Sequence, residues 1–201
     1  MKNLKELLPR AIFLLLIFTI ICGILYTLLI TGFAELFFKD KANGSIIEVD
    51  GKKYGSYLLA QPFEKENHMF GRIMNIDTKT FKDENEKPLL YAIPSNKSPA
   101  SDEYKELIEE RVSKIKAQNP DMDTAKVPVD LVTCSGSGLD PHISLNAANY
   151  QVPRLATKNN KTQEEIKEII EKCTTKKLLG FIGEDTVNVL EVNLMLDGIL
   201  K

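Results

Sequence analysis

The chain has 201 residues and a nearly balanced charge, with 26 lysines and arginines against 28 aspartates and glutamates. This balance excludes the basic surface that nucleic-acid-binding proteins carry, so no nucleic-acid partner is expected. Three cysteines are too few for a disulfide framework, and Cys22 lies inside an apolar segment. A bridge between Cys134 and Cys173 stays open, but two unpaired thiols fit better, since Cys173 falls on the apolar face of a predicted helix.

Residues 11–34 form a run of 24 residues without a charge, nearly all of them large and apolar. As a helix this run would be about 36 Å long, which exceeds the roughly 30 Å of bilayer hydrocarbon. The run therefore predicts a transmembrane helix. A cleaved signal peptide is the alternative, but its apolar region would be shorter and would end in a small-x-small cleavage site, so an uncleaved anchor is favoured.

The charges that flank this segment predict its orientation. Three basic residues precede it within residues 1–10, and two, Lys39 and Lys41, follow it. Because the side richer in lysine and arginine stays in the cytoplasm, we expect a single-pass protein of the cell membrane with its N-terminus inside. Residues 35–201 would then lie outside the cell, and they are numerous enough to form one domain with its own core.

Small or weakly polar residues recur at every fourth position within the apolar segment. At that spacing they lie on one face of a helix and would let a neighbouring membrane helix approach closely. A second interpretation is that threonine is simply tolerated in membrane helices. The residues concerned are Thr19, Gly23, Thr27 and Thr31.

The next part of the chain is predicted to be a β-hairpin followed by a long polar loop. The pair Asp50-Gly51 is a strong turn signal between strand-like runs at 46–49 and 54–59. From residue 64 to 98, charged side chains and repeated prolines predict a solvated loop. We expect three aromatic residues to pin this loop to the core, namely Phe63, Phe70 and Tyr91.

Helix signals dominate the second half of the chain. Ser101 is predicted to cap a helix that ends at Asn119-Pro120. A second helix should begin near Ser144 and end or kink at Pro153, because proline lacks the N–H that a helix interior needs. A third helix is expected after residue 162, where Thr162 and Glu165 have the spacing of a capping box.

Two strands and a closing helix complete the predicted elements. Val129, Leu131 and Val132 predict a short strand that ends near Cys134, residues 187–192 predict another, and residues 194–200 predict a short helix or extension. Strands and helices interleave without the regular order of a doubly wound sheet. The expected fold class is therefore α+β, with one N-terminal transmembrane helix followed by a single mixed α/β extracytoplasmic domain.

A glycine-punctuated loop, Ser135-Gly136-Ser137-Gly138, follows the predicted strand. Its glycines leave backbone N–H groups uncovered, and such groups bind anions or nucleotide phosphates in backbone nests. In the alternative and preferred interpretation, the serines and Asp140 bond those same amides, and the loop is a turn that presents Asp140 as a cap. A Walker-type P-loop is excluded because no G-K-[ST] sequence follows.

Several blocks of the sequence resemble one family in their order and spacing. They are VPVDLVTCSGSGLDPH (127–142), QVPRLA (151–156) and VNVLEVNLMLD (187–197), with shorter blocks at 43–45, 55–63 and 70–72. The chain is similar to the C subunit of the bacterial Kdp potassium-transporting ATPase, the KdpC family. It departs from the family pattern at Ile73-Met74, where Pro-Ser is usual, and at Cys134, where alanine is usual.

This resemblance implies a non-catalytic subunit of a high-affinity, ATP-driven potassium uptake system. The implied partners are the potassium-channel-like subunit, the ATP-hydrolysing pump subunit and membrane lipid. The family's catalytic-chaperone role, which raises the ATP affinity of the pump subunit, implies ATP contact at Ser135, Gly136, Ser137, Gly138 and Gln151. The predicted orientation argues against this ligand, since an outer domain cannot share a cytoplasmic nucleotide.

Two other functions stay open at this point. A membrane-tethered extracytoplasmic hydrolase would use Ser135 or Ser137 with His142 and Asp140, but a working triad draws on separately placed segments rather than on one short loop. A nucleotide-binding regulator would instead have its domain in the cytoplasm. No metal site is expected, because His68 and His142 are the only histidines and no H-x-x-x-H or C-x-x-C spacing occurs.

Overall fold

The computed structural model describes residues 2–89, 91–122 and 126–201. The chain divides into two compact units, Met1–Ser45 and Ile46–Lys201. Each unit has its own internal structure, and the second contains every residue proposed for a functional site.

The first unit is dominated by one long apolar helix. It comprises helix α1 (Lys2–Phe18), a π-helical segment (Thr19–Leu25) and helix α2 (Tyr26–Phe37), and the short helix α3 (Lys39–Ala42) follows. The most apolar 18 residues of the helix Leu4–Phe37 have a mean hydropathy of 2.8 and bury none of their side chains in the protein, so by length and composition this helix can cross a membrane. The sequence prediction of one apolar, membrane-length helix is confirmed.

The π-helical segment contains the first two residues of the predicted stripe, Thr19 and Gly23. Its i→i+5 hydrogen bonds widen the helix over Thr19–Leu25, which includes Gly23. The hydroxyl of Thr27 donates to the carbonyl oxygen of Cys22 at 3.3 Å, which satisfies a backbone group that has no water to bind inside a bilayer.

The second unit begins with the predicted hairpin. Strand β1 (Ile46–Val49) pairs antiparallel with β2 (Lys52–Ser56), and both turn residues have positive φ, 52° for Asp50 and 76° for Gly51. That conformation is the type I′ turn that Asp-Gly favours. A second antiparallel pair, β3 (Ile76–Asp77) with β4 (Tyr91–Ala92), lies within the predicted polar loop.

Three predicted helix boundaries are confirmed by their caps. Helix α4 (Asp102–Gln118) begins where Ser101 Oγ accepts the Tyr104 N–H at 3.3 Å. Helix α5 (Leu145–Tyr150) is capped in the same way by Ser144, and helix α7 (Gln163–Lys172) by the capping box of Thr162 and Glu165. Between them lies helix α6 (Val152–Asn159), which has Pro153 in its first turn, so this proline starts a new helix rather than kinking an old one.

A three-stranded antiparallel sheet and one more helix complete the unit. The sheet has the order β5 (His142–Ser144), β7 (Thr186–Asn188), β6 (Thr174–Thr175), and helix α8 (Val189–Leu196) follows β7 directly. The helices and this sheet enclose the core of the unit. Its fully buried apolar side chains include Met69, Leu131, Ile143, Leu155, Ile166, Val187 and Val192.

The strand predicted around Val129 is wrong. Val129–Leu131 is a 3-10 helix, which begins after Pro128 and closes through a hydrogen bond from the Val132 N–H to the Val129 carbonyl oxygen at 3.1 Å. The hydroxyl of Thr133 donates to the same carbonyl oxygen at 2.9 Å. These local bonds hold a turn that outweighs the β propensity of the two valines.

The strand predicted over residues 187–192 is half right, because the strand ends at Asn188. The side-chain oxygen of Asn188 accepts the Glu191 N–H at 3.1 Å, which makes it the N-cap of α8. A capping asparagine starts a helix even when valines and leucines follow. The closing helix therefore begins at Val189 and not at the predicted residue 194.

The cysteines in the described part of the chain are all unpaired. Cys173 is buried at the end of α7, and burial, assisted by the charge of Glu191, raises the pKa of its thiol to about 12. A thiol with that pKa is almost entirely protonated at neutral pH and is a poor nucleophile. The interpretation of Cys134 and Cys173 as two separate thiols is thus the one that the structure supports.

Candidate functional site

The glycine-punctuated loop bonds its own amides. Ser135 Oγ accepts the N–H groups of Gly138 (3.0 Å) and Asp140 (3.4 Å), and Ser137 Oγ accepts that of Leu139 (3.2 Å). The two serine hydroxyls are 3.2 Å apart and share a hydrogen bond. Three of the backbone donors that a nest would offer to an anion are therefore occupied by side chains, as the turn interpretation predicts.

The rest of the unit packs closely against this loop at Gly138. Its φ is +76°, and a Cβ atom there would lie 2.5 Å from the carbonyl oxygen of Ile93 and 2.9 Å from that of Asn75. The carbonyl oxygen of Gly138 also accepts the Asn75 N–H at 3.1 Å, and the carbonyl oxygen of Leu139 accepts the Ala60 N–H at 3.0 Å. The loop thus joins Ala60, which follows the hairpin, to the 64–98 segment.

Arg72 links the loop to the preceding 3-10 helix through two carboxylates. Its guanidinium lies 3.2 Å from Asp130 and 3.4 Å from Asp140, and all three side chains are partly buried. Asp130 also accepts the Ser144 N–H at 2.8 Å, and Asp140 accepts the His142 N–H at 3.0 Å. Asp140 therefore caps the chain after the loop, as the sequence predicts, and it also forms an ion pair with the guanidinium of Arg72.

The residues of a hypothetical hydrolase triad do not form one. His142 Nδ1 lies 3.6 Å from Asp140, but its ring stacks edge-on against Tyr57 and its Nε2 faces Asn188 at 3.4 Å. In the described residues the hydroxyls of Ser135 and Ser137 bond backbone groups and each other, not the imidazole. A serine whose proton has no base to accept it cannot act as the nucleophile of a triad.

Gln151 lies elsewhere, at the junction of α5 and α6, where it is completely buried. Its Oε1 accepts the N–H of Phe70 (2.8 Å) and its Nε2 donates to the carbonyl oxygen of Phe70 (3.0 Å). The same amide also accepts from Arg154 Nη2 (2.7 Å) and donates to the carbonyl oxygen of Ala147 (3.2 Å). All four hydrogen-bonding positions of the amide are filled from within the protein.

Asn193 on α8 makes the equivalent pair of bonds with the neighbouring residue. Its Oδ1 accepts the Met69 N–H at 2.7 Å and its Nδ2 donates to the Met69 carbonyl oxygen at 3.0 Å. Each amide thus bonds one residue of the 66–70 segment on both its N–H and its C=O, as a neighbouring β-strand would. Met69 and Phe70 lie outside regular secondary structure, and these side chains satisfy their buried backbone groups.

Arg154 completes this arrangement, and we name Gln151, Arg154 and Asn193 the polar clamp. The guanidinium is buried and lies 4.0 Å from the ring centroid of Phe70. Burial lowers the pKa of Arg154 to about 10, opposed by the charge of Glu66, so the group stays cationic at neutral pH. Its acceptors are Asn119 Oδ1 (3.0 Å), Gln151 Oε1 (2.7 Å) and the carbonyl oxygens of His68 (2.8 Å) and Glu66.

The second histidine of the folded unit, His68, is paired with an aspartate. His68 Nε2 lies 3.0 Å from Asp197, and no group of three or more metal-ligating side chains occurs among the described residues.

A cavity of about 480 Å³ opens beside the polar clamp, between the 61–74 segment and α4. Its cationic residues are Arg72, Arg111 and Lys114. Arg72 is paired with aspartates, and Arg111 donates to the carbonyl oxygen of Val132 at 2.9 Å.

Comparison with known proteins identifies the family. The family model for the c chain of the K⁺-transporting ATPase, KdpC, matches residues 8–198. The chain belongs to the KdpC family. It is therefore an accessory subunit of a potassium-transporting ATPase and not the subunit that hydrolyses ATP.

Individual KdpC relatives match over essentially their whole length. The potassium-transporting ATPase KdpC subunit of Clostridium botulinum strain Eklund 17B is 60% identical over all of both chains. The subunit of Clostridium perfringens is 55% identical over 98% of this chain and 99% of its own. That of Listeria monocytogenes EGD-e is 40% identical over 98% of each. The resemblance read from the sequence blocks is confirmed.

Sequence reasoning missed two members of the polar clamp, Arg154 and Asn193, and assigned the third, Gln151, to a ligand. A signal was present for Asn193, because it interrupts the apolar run of α8, where an unpaired amide would be costly. Arg154 follows Gln151 by three residues, which places the two side chains on the same face of a helix. Neither signal identifies the backbone groups that these side chains bond, which lie more than eighty residues earlier in the chain.

The loop offers a matched pair of glycine substitutions in this KdpC-family chain. Gly138→Ala is expected to lower the free energy of unfolding by roughly 1–3 kcal/mol, because alanine would take an unfavourable φ and collide with two carbonyl oxygens. Gly136→Ala meets nothing within 4 Å and should leave stability unchanged. Urea unfolding of the full chain in detergent, followed by near-UV circular dichroism, measures both; equal midpoints would contradict the assignment of the close contact to Gly138.

Proposed function

We propose that this chain is the single-pass, non-catalytic subunit of an ATP-driven potassium importer of the Kdp type. Its apolar helix packs against the channel-like subunit, and its folded unit covers the ion entrance on the outer face of the membrane. The KdpC relatives are named as subunits of a potassium-transporting ATPase, and the match over residues 8–198 is the observation that carries the proposal.

The subunit acts by binding one conformation of its partners better than another. Such an effect needs only a difference in binding free energy between partner states, and no reacting group. A rigid surface serves this purpose best, and the polar clamp supplies rigidity by fixing the 66–70 segment with paired side-chain bonds. The long exposed helix supplies the second contact surface, because Leu4–Phe37 buries nothing within its own chain.

Contact with ATP at Ser135, Gly136, Ser137, Gly138 and Gln151 stays a prediction. Two observations bear on it: the amide of Gln151 already has four partners, and three amides of the loop bond serine hydroxyls. A nucleotide would have to displace these internal bonds. We therefore place the subunit's effect in the stabilisation of its partners rather than in the capture of nucleotide.

Deletion of the chain tests this function directly. Cells without it, grown at micromolar potassium, are expected to lose uptake, and the tagged full chain is expected to co-purify with the channel-like and pump subunits. The matched control restores the full chain from a plasmid. Normal uptake in the deleted strain together with an intact complex would refute the proposal.

The orientation is tested by labelling two single cysteines in a chain whose native cysteines are replaced by alanine. A thiol reagent that cannot cross membranes should label Lys82→Cys in intact cells, since Lys82 is exposed on the folded unit. It should label Lys5→Cys only after the membrane is permeabilised. The reverse pattern would place the folded unit in the cytoplasm and favour the nucleotide-binding regulator.

A further inference from the structure

A short loop between β6 and β7 carries an unusual number of exposed apolar side chains. We name residues 178–182 the apolar tongue; its sequence is Leu-Leu-Gly-Phe-Ile. The exposed fractions are 65% for Leu178, 76% for Leu179, 74% for Phe181 and 49% for Ile182. In the described part of the folded unit, the other exposed large apolar residues occur singly or as the pair Leu58-Leu59.

The apolar tongue has a defined backbone conformation. Leu178 and Ile182 exchange both backbone hydrogen bonds, at 2.9 and 3.0 Å. At the base, Asp185 Oδ1 accepts the Lys177 N–H at 2.8 Å. Leu179 has a φ of +55°, in the left-handed region that bulky residues rarely adopt. A leucine held in this conformation and directed into solvent indicates a function outside the fold of the unit, since nothing in the unit needs its side chain.

The charges at the base of the apolar tongue argue against an anionic lipid surface as its occupant. Lys176 pairs with Glu171 at 2.6 Å, and Lys177 lies 3.7 Å from Glu184. Loops and helices that bind anionic membranes carry lysines and arginines that are free to meet the lipid phosphates. Here each lysine already has a carboxylate partner, and Asp185 adds a third carboxylate, so the base carries no free cation.

The size of the apolar tongue argues against a second copy of the chain. A stable protein dimer buries roughly 800 Å² and some 20–30 residues on each side. The apolar tongue offers five residues on a narrow projection. A projection of this shape fits a cleft, and its uncharged apolar surface is complementary to a cleft lined by apolar side chains.

We infer that the apolar tongue inserts Leu179 and Phe181 into an apolar cleft of another subunit of the potassium-transporting complex. This inference rests on the proposed function, and it specifies which surface of the folded unit meets the partner. The contact is separate from the packing of the membrane helix. Its side chains are desolvated only on assembly, so they contribute to binding and almost nothing to the stability of the free chain.

The test substitutes the two tip residues in the full chain. Asparagine tolerates the left-handed region, so Leu179→Asn removes the apolar contact without straining the turn. The double variant Leu179→Asn with Phe181→Ser is expected to reduce the co-purified partner subunits at least about tenfold. The matched control is Leu58→Asn, an exposed leucine in another turn of the same unit, which should leave assembly unchanged. Urea midpoints should be equal for all three chains.

A photo-crosslinking side chain in place of Phe181 identifies the occupant. A cross-link to another subunit of the complex supports the inference. Cross-links only to lipid, or only to a second copy of the chain, would overturn it, as would a double variant that assembles normally. Failure of the wild-type chain itself to co-purify with the other subunits would overturn the proposed function, so the two failures are distinguishable.

Discussion

Replacement of Arg154 by methionine is expected to lower the free energy of unfolding by about 3–5 kcal/mol. Methionine fills a similar volume but donates no hydrogen bonds, so the oxygens of Asn119 and His68 would lose this donor, and Gln151 Oε1 would keep only the Phe70 N–H. Single domains are stable by only about 5–15 kcal/mol, so the loss is a large share of the total. Urea unfolding of the full chain, followed by near-UV circular dichroism of its tyrosines, measures it.

Two further variants distinguish the hydrogen bonds of Arg154 from its positive charge as the source of stability. Arg154→Lys keeps the charge but cannot reach several acceptors from one planar group, so it should rescue little of the lost stability. Lys158→Ala, one turn further along the same helix, removes only an exposed ion pair with Glu66 and should leave the urea midpoint unchanged. Full rescue by lysine would mean that the multiple bonds of the guanidinium are unimportant.

Hydrogen exchange locates the effect. The amides of Met69 and Phe70 are bonded by the side chains of Asn193 and Gln151 and should exchange slowly in the wild-type chain. In the Arg154→Met variant the 66–70 segment should lose this protection before the hairpin β1–β2 does. Uniform loss of protection across the unit would instead indicate that the polar clamp stabilises the whole core equally.

Local signals explain why the helix boundaries could be predicted. Ser101 and Thr162 act on N–H groups only three residues away, and Asp50-Gly51 sets its own φ angles. The physics of a cap or a tight turn is contained in a few consecutive residues, so the sequence is sufficient. The apolar helix is predictable for the same reason, because its length and composition alone determine that it can cross a membrane.

Long-range contacts explain the failures. The polar 64–98 loop was expected to be pinned by aromatic residues, and Phe70 is indeed buried, but the bonds that hold the segment come from amides and a guanidinium. No local pattern connects Gln151 to Phe70 across more than eighty residues. The wrong start predicted for the closing helix has a local cause instead. The composition of the valine-rich run predicts a strand, but the capping asparagine before Val189 starts a helix.

The same distinction applies to the glycine-punctuated loop. Its residue types fit both an anion nest and a self-bonded turn, because serine hydroxyls and bound anions compete for the same N–H groups. Sequence cannot decide between them, since the outcome depends on whether the hydroxyls rotate inward. In the structure they do, and the tight approach of Ile93 to Gly138 helps to hold the loop in that conformation.

Gln151→Leu is expected to lower the free energy of unfolding by about 2–4 kcal/mol, because leucine leaves the N–H and C=O of Phe70 buried without partners. The matched control is Asn149→Leu, an exposed position two residues earlier in α5, which should be nearly neutral. A residue that only contacts a nucleotide would give the opposite result, with unchanged stability and weaker binding of the ligand.

A double-mutant cycle makes the assignment of Gln151 quantitative. Gln151 Oε1 and Arg154 Nη2 are 2.7 Å apart, so the two substitutions remove parts of one network. Once Arg154 is methionine, the segment is already loosened, and Gln151→Leu should cost roughly 1 kcal/mol less than it does in the wild-type chain. Strict additivity would show that the two side chains stabilise the fold independently. Coupling would show instead that the residue to which the family resemblance gives ATP contact belongs to the internal support of the folded unit.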